Sequence, residues 1–548
     1  MPASKVGFRG VGRRGLALVA VLVAIVSAAA CKPHPYSSSV DKNTYVMGES
    51  ILPSQMANMN PFAITGNWAP LFRYLYDSLY FFNPVDGKLT PDLARIGTWN
   101  RAHTIYRVPL RSGVTWQDGK QLTAADVVYT FGVLKKYAQA DKYGIWAHLS
   151  DVEASPGGVT FHLKEPFEGL PYLLSQIYIV PEHIWSQAGS PLENRNMKPI
   201  GSGPYALDSY QNGVAINLKR NPHYFAGTAK LDKLVISMYT NSSALTLALQ
   251  KGSINTTTGT IAMPSLPVLL KTKTNHLQKF PGLSVYSVLE NNERAGLSNV
   301  LVRRAIQRSI DQKALIEKGE LNGVVRQNPG WLPPTFSSYV DQGVYNDKKY
   351  SYDPEAAKDL LKQAGYELNS SGVAEKDGKE LSFDYYEPSG APAQEKEASM
   401  IRGWLRDIGI KTRARLVTGP EMTKIAATGD YDLMQFGTGV PPDPVQSIAA
   451  AFSSKNTAPE GKTTPGLNYS RFRDKELDSI LDQASRTIDQ AQLRKLLGRA
   501  QRIVADAAPV AVMYNVGGHL LYRTDRYTGY DEAFPVYAPQ SLMKVQAK

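Results

Sequence analysis

The alternation of apolar and polar residues predicts a β-hairpin near the middle of the chain. Apolar residues alternate with polar or small ones at 205–207 and again at 214–218, and Asn-Gly stands between the two runs at 212–213. Asn-Gly favours the two-residue turn of a hairpin. The preceding residues, 201–206, match Gly-x-Gly-x-x-Ala, but no buried apolar run precedes them and no helical pattern follows. We therefore interpret them as the entry to a hairpin and not as a dinucleotide-binding loop.

Helical spacing appears in the first third of the chain and dominates after residue 290. Thr123 with Asp126 has the form of a capping box, and the face that this helix should bury comprises Val127, Val128, Phe131 and Leu134. The stretch Val302–Leu315 carries apolar or small residues at the spacing of one helix face. Asp353-Pro354 predicts the start of another helix and Gly365 its end.

A short apolar strand is predicted at 431–436, ending in Gly437-Thr438-Gly439. The alternation of helix and strand patterns after residue 290 indicates an α/β architecture.

Length and charge narrow the class of protein. With 548 residues, 43% apolar and 20% charged, the chain should form two or more soluble lobes. The formal net charge is +12, and removing the four basic residues of the first thirty leaves +8. This excess is spread without a basic run, so we predict no nucleic-acid binding.

The first 31 residues predict an export signal. Four basic residues precede an apolar run at 16–30, which is too short to span a bilayer and ends in small residues. Cys31, the only cysteine, follows at once. The segment 27–31 resembles a bacterial lipobox, which implies lipidation of Cys31 and a membrane-anchored protein; cleavage by an ordinary signal peptidase is the alternative. The Pro- and Ser-rich residues that follow are typical of a tether.

No catalytic constellation is present in the sequence. It contains no Gly-x-Ser-x-Gly, Walker loop or His-Glu-x-x-His, and its eight histidines are scattered. We therefore predict no enzymatic activity, no metal and no cofactor, with a secreted hydrolase as the least favoured alternative.

Several stretches, in order, resemble the extracellular solute-binding proteins of ABC importers, family 5, the dipeptide/oligopeptide-binding type. The stretches are residues 110–119 with 123–128, 201–205 with 219–225, 302–306 with 310–311, 352–357 and 429–433.

The resemblance implies a two-lobed α/β fold of the periplasmic-binding-protein (Venus flytrap) type, with an extra subdomain on the first lobe. It also implies a monomer that delivers its ligand to ABC permease subunits driven by cytoplasmic ATPases. The expected segments are a signal peptide at 1–30, a tether at 31–43, a first lobe at 44–77, 200–288 and 507–548, the extra subdomain at 78–199, and a second lobe at 289–506.

The ligand should lie between the lobes, because ligands of open α/β sheets settle beyond the carboxyl ends of strands. The residues that we expect at this site are Asn60, Thr65, Gly66, Asn67, Trp68, Trp331, Tyr385, Tyr386, Glu387, Gly437, Thr438, Gly439, Val440 and Asp443.

Two ligand classes stay open. Peptide binders of the family hold the ligand's ammonium with an aspartate, where this chain has Val440, and often its carboxylate with an arginine near Glu387. Asp443 or Glu387 could replace the missing acid. Trp68, Trp331 and the tyrosines at 385–386 could instead stack on sugar rings. Peptides are the first expectation and oligosaccharides the alternative.

Overall fold

The structure is a computed structural model that describes residues 42–50, 58–63, 69–258, 261, 263–319 and 323–548. The predicted signal peptide, Cys31, and the predicted ligand contacts Thr65, Gly66, Asn67 and Trp68 lie outside these residues.

Strands and helices alternate along the described chain. The strands are β1 (Thr44–Ser50), β2 (Tyr80–Asn83), β3 (Lys88–Pro91), β4 (Thr98–Trp99), β5 (Ile105–Pro109), β6 (Leu149–Ser155), β7 (Gly158–Leu163), β8 (Tyr205–Gln211), β9 (Ala215–Arg220), β10 (Lys233–Tyr239), β11 (Thr256–Thr257), β12 (Asn275–Glu290), β13 (Glu367–Leu368), β14 (Ala374–Lys376), β15 (Lys379–Glu380), β16 (Ser382–Pro388), β17 (Lys411–Val417), β18 (Leu433–Gly439), β19 (Val510–Arg523), β20 (Tyr527–Thr528) and β21 (Gln546–Ala547). The α-helices are α1 (Ala69–Leu75), α2 (Ala124–Lys136), α3 (Ile145–His148), α4 (Leu170–Leu174), α5 (Glu182–Trp185), α6 (Ser242–Gln250), α7 (Leu266–Leu269), α8 (Val300–Ser309), α9 (Gln312–Ala314), α10 (Gln342–Asn346), α11 (Pro354–Gln363), α12 (Pro392–Asp407), α13 (Gly419–Thr428), α14 (Pro444–Phe452), α15 (Lys475–Ser485), α16 (Gln490–Ala507) and α17 (Pro539–Leu542).

One sheet of ten strands runs through both lobes, in the order β17-β16-β18-β12-β19-β11-β1-β10-β9-β8. The long strands β12 and β19 occupy its middle and pair antiparallel along most of their length. The outer edge of β19 pairs with β11, towards the first-lobe strands, and the outer edge of β12 pairs with β18, towards the second-lobe strands. These two strands therefore cross from the first lobe to the second. The register between β12 and β19 breaks between Phe280 and Ser284. The lobe boundaries expected from the sequence, at 288 and 507, remain a prediction.

Apolar side chains cover both faces of the sheet. In β1, Tyr45 and Met47 belong to the core shared with the extra subdomain, and Val46 points into a separate cluster under α6. In the second lobe, Met434 and Leu433 likewise belong to different clusters. Because successive strand residues point to opposite faces, this alternation requires helices on both sides of the sheet.

The extra subdomain contains the small sheet β4-β5-β7-β6, and it contacts the second lobe directly. Glu165 forms an ion pair with Arg486 at 2.9 Å, and the rings of Phe82 and Phe336 lie 6.2 Å apart. The lobes therefore touch on this side of the molecule.

Local predictions are largely confirmed. The hairpin β8–β9 turns at Gly213, and the capping box at Thr123 is complete. On α2, Val127, Phe131 and Leu134 are buried as predicted, but Val128 is only partly buried and Val133 takes its place. The reason is that Val128 lies at the edge of the buried face.

Candidate functional site

Three glycines bring the crossover strands close together. A Cβ on Gly282 would lie 2.2 Å from the carbonyl oxygen of Val516, and one on Gly517 would lie 1.9 Å from that of Phe280. Gly518 faces the Phe280 ring at 2.0 Å by the same measure. At Gly282 and Gly517 no larger residue fits without moving the backbone, and at Gly518 the Phe280 ring would have to shift.

The buried side chain of Asn515 ties the two strands at this point. Its Oδ1 accepts from the backbone N–H of Gly282 at 2.9 Å, and its Nδ2 donates to the carbonyls of Gly282 and Ser284 at 3.0 and 3.1 Å. The crossover is therefore defined by a complete set of hydrogen bonds.

A cavity of about 530 Å³ lies against this crossover. Both lobes contribute to its wall: Pro84, Thr258, Phe280, Gly282, Ser284, Tyr286, Gly323, Val324, Gln394, Tyr514, Val516, Gly517, Gly518, His519, Leu520 and Tyr537. A cavity of this size between lobes is typical of a small-molecule site.

Stacked aromatic rings form part of the wall. The rings of Tyr286 and Tyr514 stack at 5.2 Å with 17° between their planes. Gln394, in the first turn of α12, donates to the Tyr286 hydroxyl at 3.0 Å. The buried carboxylate of Glu397 accepts from the Tyr514 hydroxyl at 2.7 Å and from Gln435 at 3.1 Å. These bonds hold the aromatic pair in one orientation.

The end of β18 pairs with a strand that lines this cavity, although no residue of β18 is itself in the lining. Gly437 pairs with Tyr286 and Gly439 with Ser284, two residues that line it. On its other side β18 pairs with β16 only at Leu433 and Met434, so its last residues have one strand partner within the described chain. A Cβ on Gly439 would meet no atom within 4 Å. This end of β18 can therefore offer backbone groups to an extended ligand.

A profile of the bacterial extracellular solute-binding proteins, family 5 Middle, matches residues 88–459. The chain belongs to this family. It is 27% identical over 428 residues to the oligopeptide-binding protein AppA of Bacillus subtilis (strain 168), covering 76% of each chain. It is also 27% identical over 478 residues to the dipeptide-binding protein of Escherichia coli (strain K12), covering 80% of this chain and 83% of that one.

The fold is similar to that of solved solute-binding proteins. One is the mannohexaose-bound periplasmic oligopeptide-binding protein of an ABC transporter from Thermotoga maritima, with a TM-score of 0.76, 23% identity, and coverage of 93% of this chain and 100% of that one. The predicted family and two-lobed fold are therefore confirmed. In the described parts of the chain, no helix combines the length and apolarity needed to cross a membrane.

In this solute-binding protein, Val440 and Asp443 lie just beyond β18. Val440 is buried in the apolar core of the second lobe. Asp443 is also buried and caps α14, its Oδ1 accepting from the backbone N–H of Gln446 at 2.6 Å. Burial raises the pKa of Asp443 to about 6 although this N–H bond opposes the shift. Across the lobe contact, its Oδ2 would lie 3.2 Å from a Cβ on Gly169, so Asp443 faces the extra subdomain.

The predicted residues of β16 point to two faces. Glu387 is buried and pairs with Arg402 at 3.2 Å, and burial raises its pKa although Arg402 opposes the shift. Tyr385 lies in the core of the second lobe, and Tyr386 is partly buried on the opposite face of the sheet. These side chains are not among the residues lining the cavity at the crossover.

The side chains of Trp331 and Asn60 both donate hydrogen bonds to backbone carbonyls of the protein. Trp331 is buried with φ 76°, donates its indole N–H to the carbonyl of Ser447 at 3.1 Å, and packs on Phe452. The amide of Asn60 donates to the carbonyls of Pro191 and Asn194 at 2.7 Å each. For both residues the geometry favours a role in the scaffold, and ligand contact by either stays a prediction.

Sequence reasoning missed Tyr286, Tyr514 and Gln394. Tyr514 closes an apolar run at 510–514, but nothing in the sequence shows that this run pairs with the strand carrying Tyr286. It also missed α14, whose start at Asp443-Pro444 repeats the cap-and-proline signal of Asp353-Pro354.

Proposed function

We propose that this protein captures a peptide between its two lobes and delivers it, unchanged, to the permease of an ABC importer outside the cytoplasmic membrane. The observation that carries the proposal is the cavity of about 530 Å³ at the crossover, to which both lobes contribute. A ligand that touches both walls binds the closed arrangement better than the open one, and this difference in affinity drives closure.

The end of β18 supports a peptide as the ligand. Gly439 leaves the backbone open there, and Thr438 has a buried hydroxyl with no hydrogen-bond partner in the described part of the chain. Backbone recognition of this kind is independent of the peptide's side chains. The relatives named for oligopeptide and dipeptide binding agree with this choice.

A neutral oligosaccharide is the second candidate. The stacked Tyr286–Tyr514 pair and the Gln394 amide line the cavity, and aromatic faces with amide partners suit sugar rings. The neighbour from Thermotoga maritima that holds mannohexaose agrees with this alternative.

Membrane attachment is proposed through a lipid on Cys31, with the residues after it as a tether. The motive is the order of basic, apolar and small residues before a single cysteine.

The test is to identify the bound solute and to follow closure. We would purify the mature protein, measure co-purifying small molecules by native mass spectrometry, and compare loaded and stripped protein by small-angle X-ray scattering. We expect a peptide of unaltered mass and a smaller radius of gyration when loaded. A chemically converted ligand, or no solute from a peptide and oligosaccharide library, would refute the proposal. Gly439→Trp should weaken binding while the fold is kept, because that site is open.

A further inference from the structure

A second cavity, of about 270 Å³, lies in the first lobe. It reaches Leu283 on the crossover strand, and Pro84 and Tyr537 line both this cavity and the one at the crossover. Phe82 is in its wall and contacts Phe336 of the second lobe. A ligand held at the crossover could therefore extend into it.

Arg73 of α1 gives this cavity a positive group without a counter-ion. Within the described residues its guanidinium has no carboxylate at ion-pair distance, and its buried Nε has no hydrogen-bond partner. The guanidinium carbon lies 4.9 Å from the centre of the Tyr537 ring, which also lines the cavity. Gln540 lines the same wall, and its buried Oε1 likewise has no hydrogen-bond partner. The guanidinium also forms a hydrogen bond with Tyr537. Buried polar groups are normally paired, so the Nε and the Oε1 leave two unmet hydrogen bonds beside this cavity.

Two acids also line the cavity, but neither is paired with Arg73. Asp77 accepts hydrogen bonds from Ser202 at 2.7 Å and Tyr224 at 2.9 Å. Burial, and then repulsion by the nearby carboxyl of Asp77, raise the pKa of Asp92. Burial raises the pKa of Asp77 to about 6, so this carboxyl still carries a charge at neutral pH. That charge disfavours a ligand with several anionic groups and leaves room for one beside Arg73.

We infer that Arg73 binds a single carboxylate of the ligand in this first-lobe cavity, and that the protein selects peptides with a free carboxyl end over neutral oligosaccharides. The inference rests on the proposed function and deepens it. A guanidinium matches a carboxylate with two parallel hydrogen bonds, and a partly buried, unpaired cation gains more from this contact than an exposed one. The arginine that peptide binders place near Glu387 is thus replaced by one on the opposite lobe.

The experiment uses the mature full-length protein and a defined library. Tripeptides with free carboxyl ends, the same tripeptides as carboxyl-terminal amides, and mannohexaose are mixed with stripped protein. Bound species are separated by gel filtration and quantified by mass spectrometry. The variants are Arg73→Met, Arg73→Lys, and Arg107→Met as the matched control, because Arg107 is exposed on β5 and does not line the cavity. Circular dichroism checks that each variant folds.

We expect the wild type and Arg107→Met to retain free acids over amides by at least about tenfold. Arg73→Met should lose this preference and Arg73→Lys should keep part of it. Equal retention of acids and amides by the wild type, or an unchanged preference in Arg73→Met, overturns the inference. Retention of mannohexaose alone overturns it while solute binding stands, and retention of nothing overturns both.

Discussion

Gly517 at the crossover should be intolerant even of alanine. A Cβ there would lie 1.9 Å from the carbonyl oxygen of Phe280, whereas a carbon and a carbonyl oxygen approach no closer than about 3.3 Å. The strands would have to separate by about 1.4 Å, at the point where Asn515 bonds to Gly282 and Ser284. Overpacking of this kind costs about 1–3 kcal/mol, and the strained Asn515 bonds add about 1 kcal/mol. We therefore expect Gly517→Ala to lose about 3 kcal/mol of unfolding free energy.

Urea denaturation followed by circular dichroism and tryptophan fluorescence measures this loss. Gly439→Ala is the control, since a Cβ there meets no atom within 4 Å, and we expect its stability within about 0.5 kcal/mol of the wild type. If Gly517→Ala were as stable as Gly439→Ala, the close approach of the crossover strands would not constrain this position and the reasoning would be wrong.

Three further changes test other parts of the chain. Asp443→Asn keeps a capping side chain and removes a charge. The folded carboxyl keeps its proton up to about pH 6, whereas an unfolded one loses it near about pH 4. Ionisation of Asp443 therefore destabilises the wild type as the pH rises from about 4 to about 6. Urea denaturation should find the variant equal to the wild type at about pH 3.5 and more stable by about 1–3 kcal/mol at about pH 7, and a constant difference would contradict this account. Thr123→Ala removes the cap of α2 and should cost about 1 kcal/mol in the same assay, while Thr123→Ser should cost little; equal losses would point to packing instead. Cys31→Ser should move the protein from the membrane to the soluble fraction of the cell, and an unchanged membrane fraction would refute lipidation.

Residue types within a short stretch of the sequence were sufficient to predict several helix ends and turns. Thr123 and Asp126 bond to each other's backbone groups, and Gly365 adopts φ 88° after α11. Such contacts span one turn of chain, so they follow from the residue types alone. For the same reason Asp353 caps its helix as predicted.

Whether a candidate side chain faces the ligand or the protein core could not be inferred from such local signals. Trp331 and Tyr385 are both buried in the second lobe, where Trp331 bonds to Ser447, and their contact with a ligand stays a prediction. Glu387 carries the charge that a ligand ammonium would need, but Arg402 neutralises it. Spacing along the chain cannot distinguish a buried aromatic or a paired acid from a ligand contact.

By itself, the sequence determined the family, the α/β alternation, the hairpin at Asn212-Gly213 and the glycine-rich end of β18. Tertiary structure decided which residues come together: Tyr286 stacks on Tyr514 at the crossover, and Arg73 and Gln540 line the same first-lobe cavity. These pairs come from distant segments that are joined only when the ten-stranded sheet forms. Local preferences act over a few residues, whereas a cavity depends on how whole strands and helices pack, and so its lining is set by the fold.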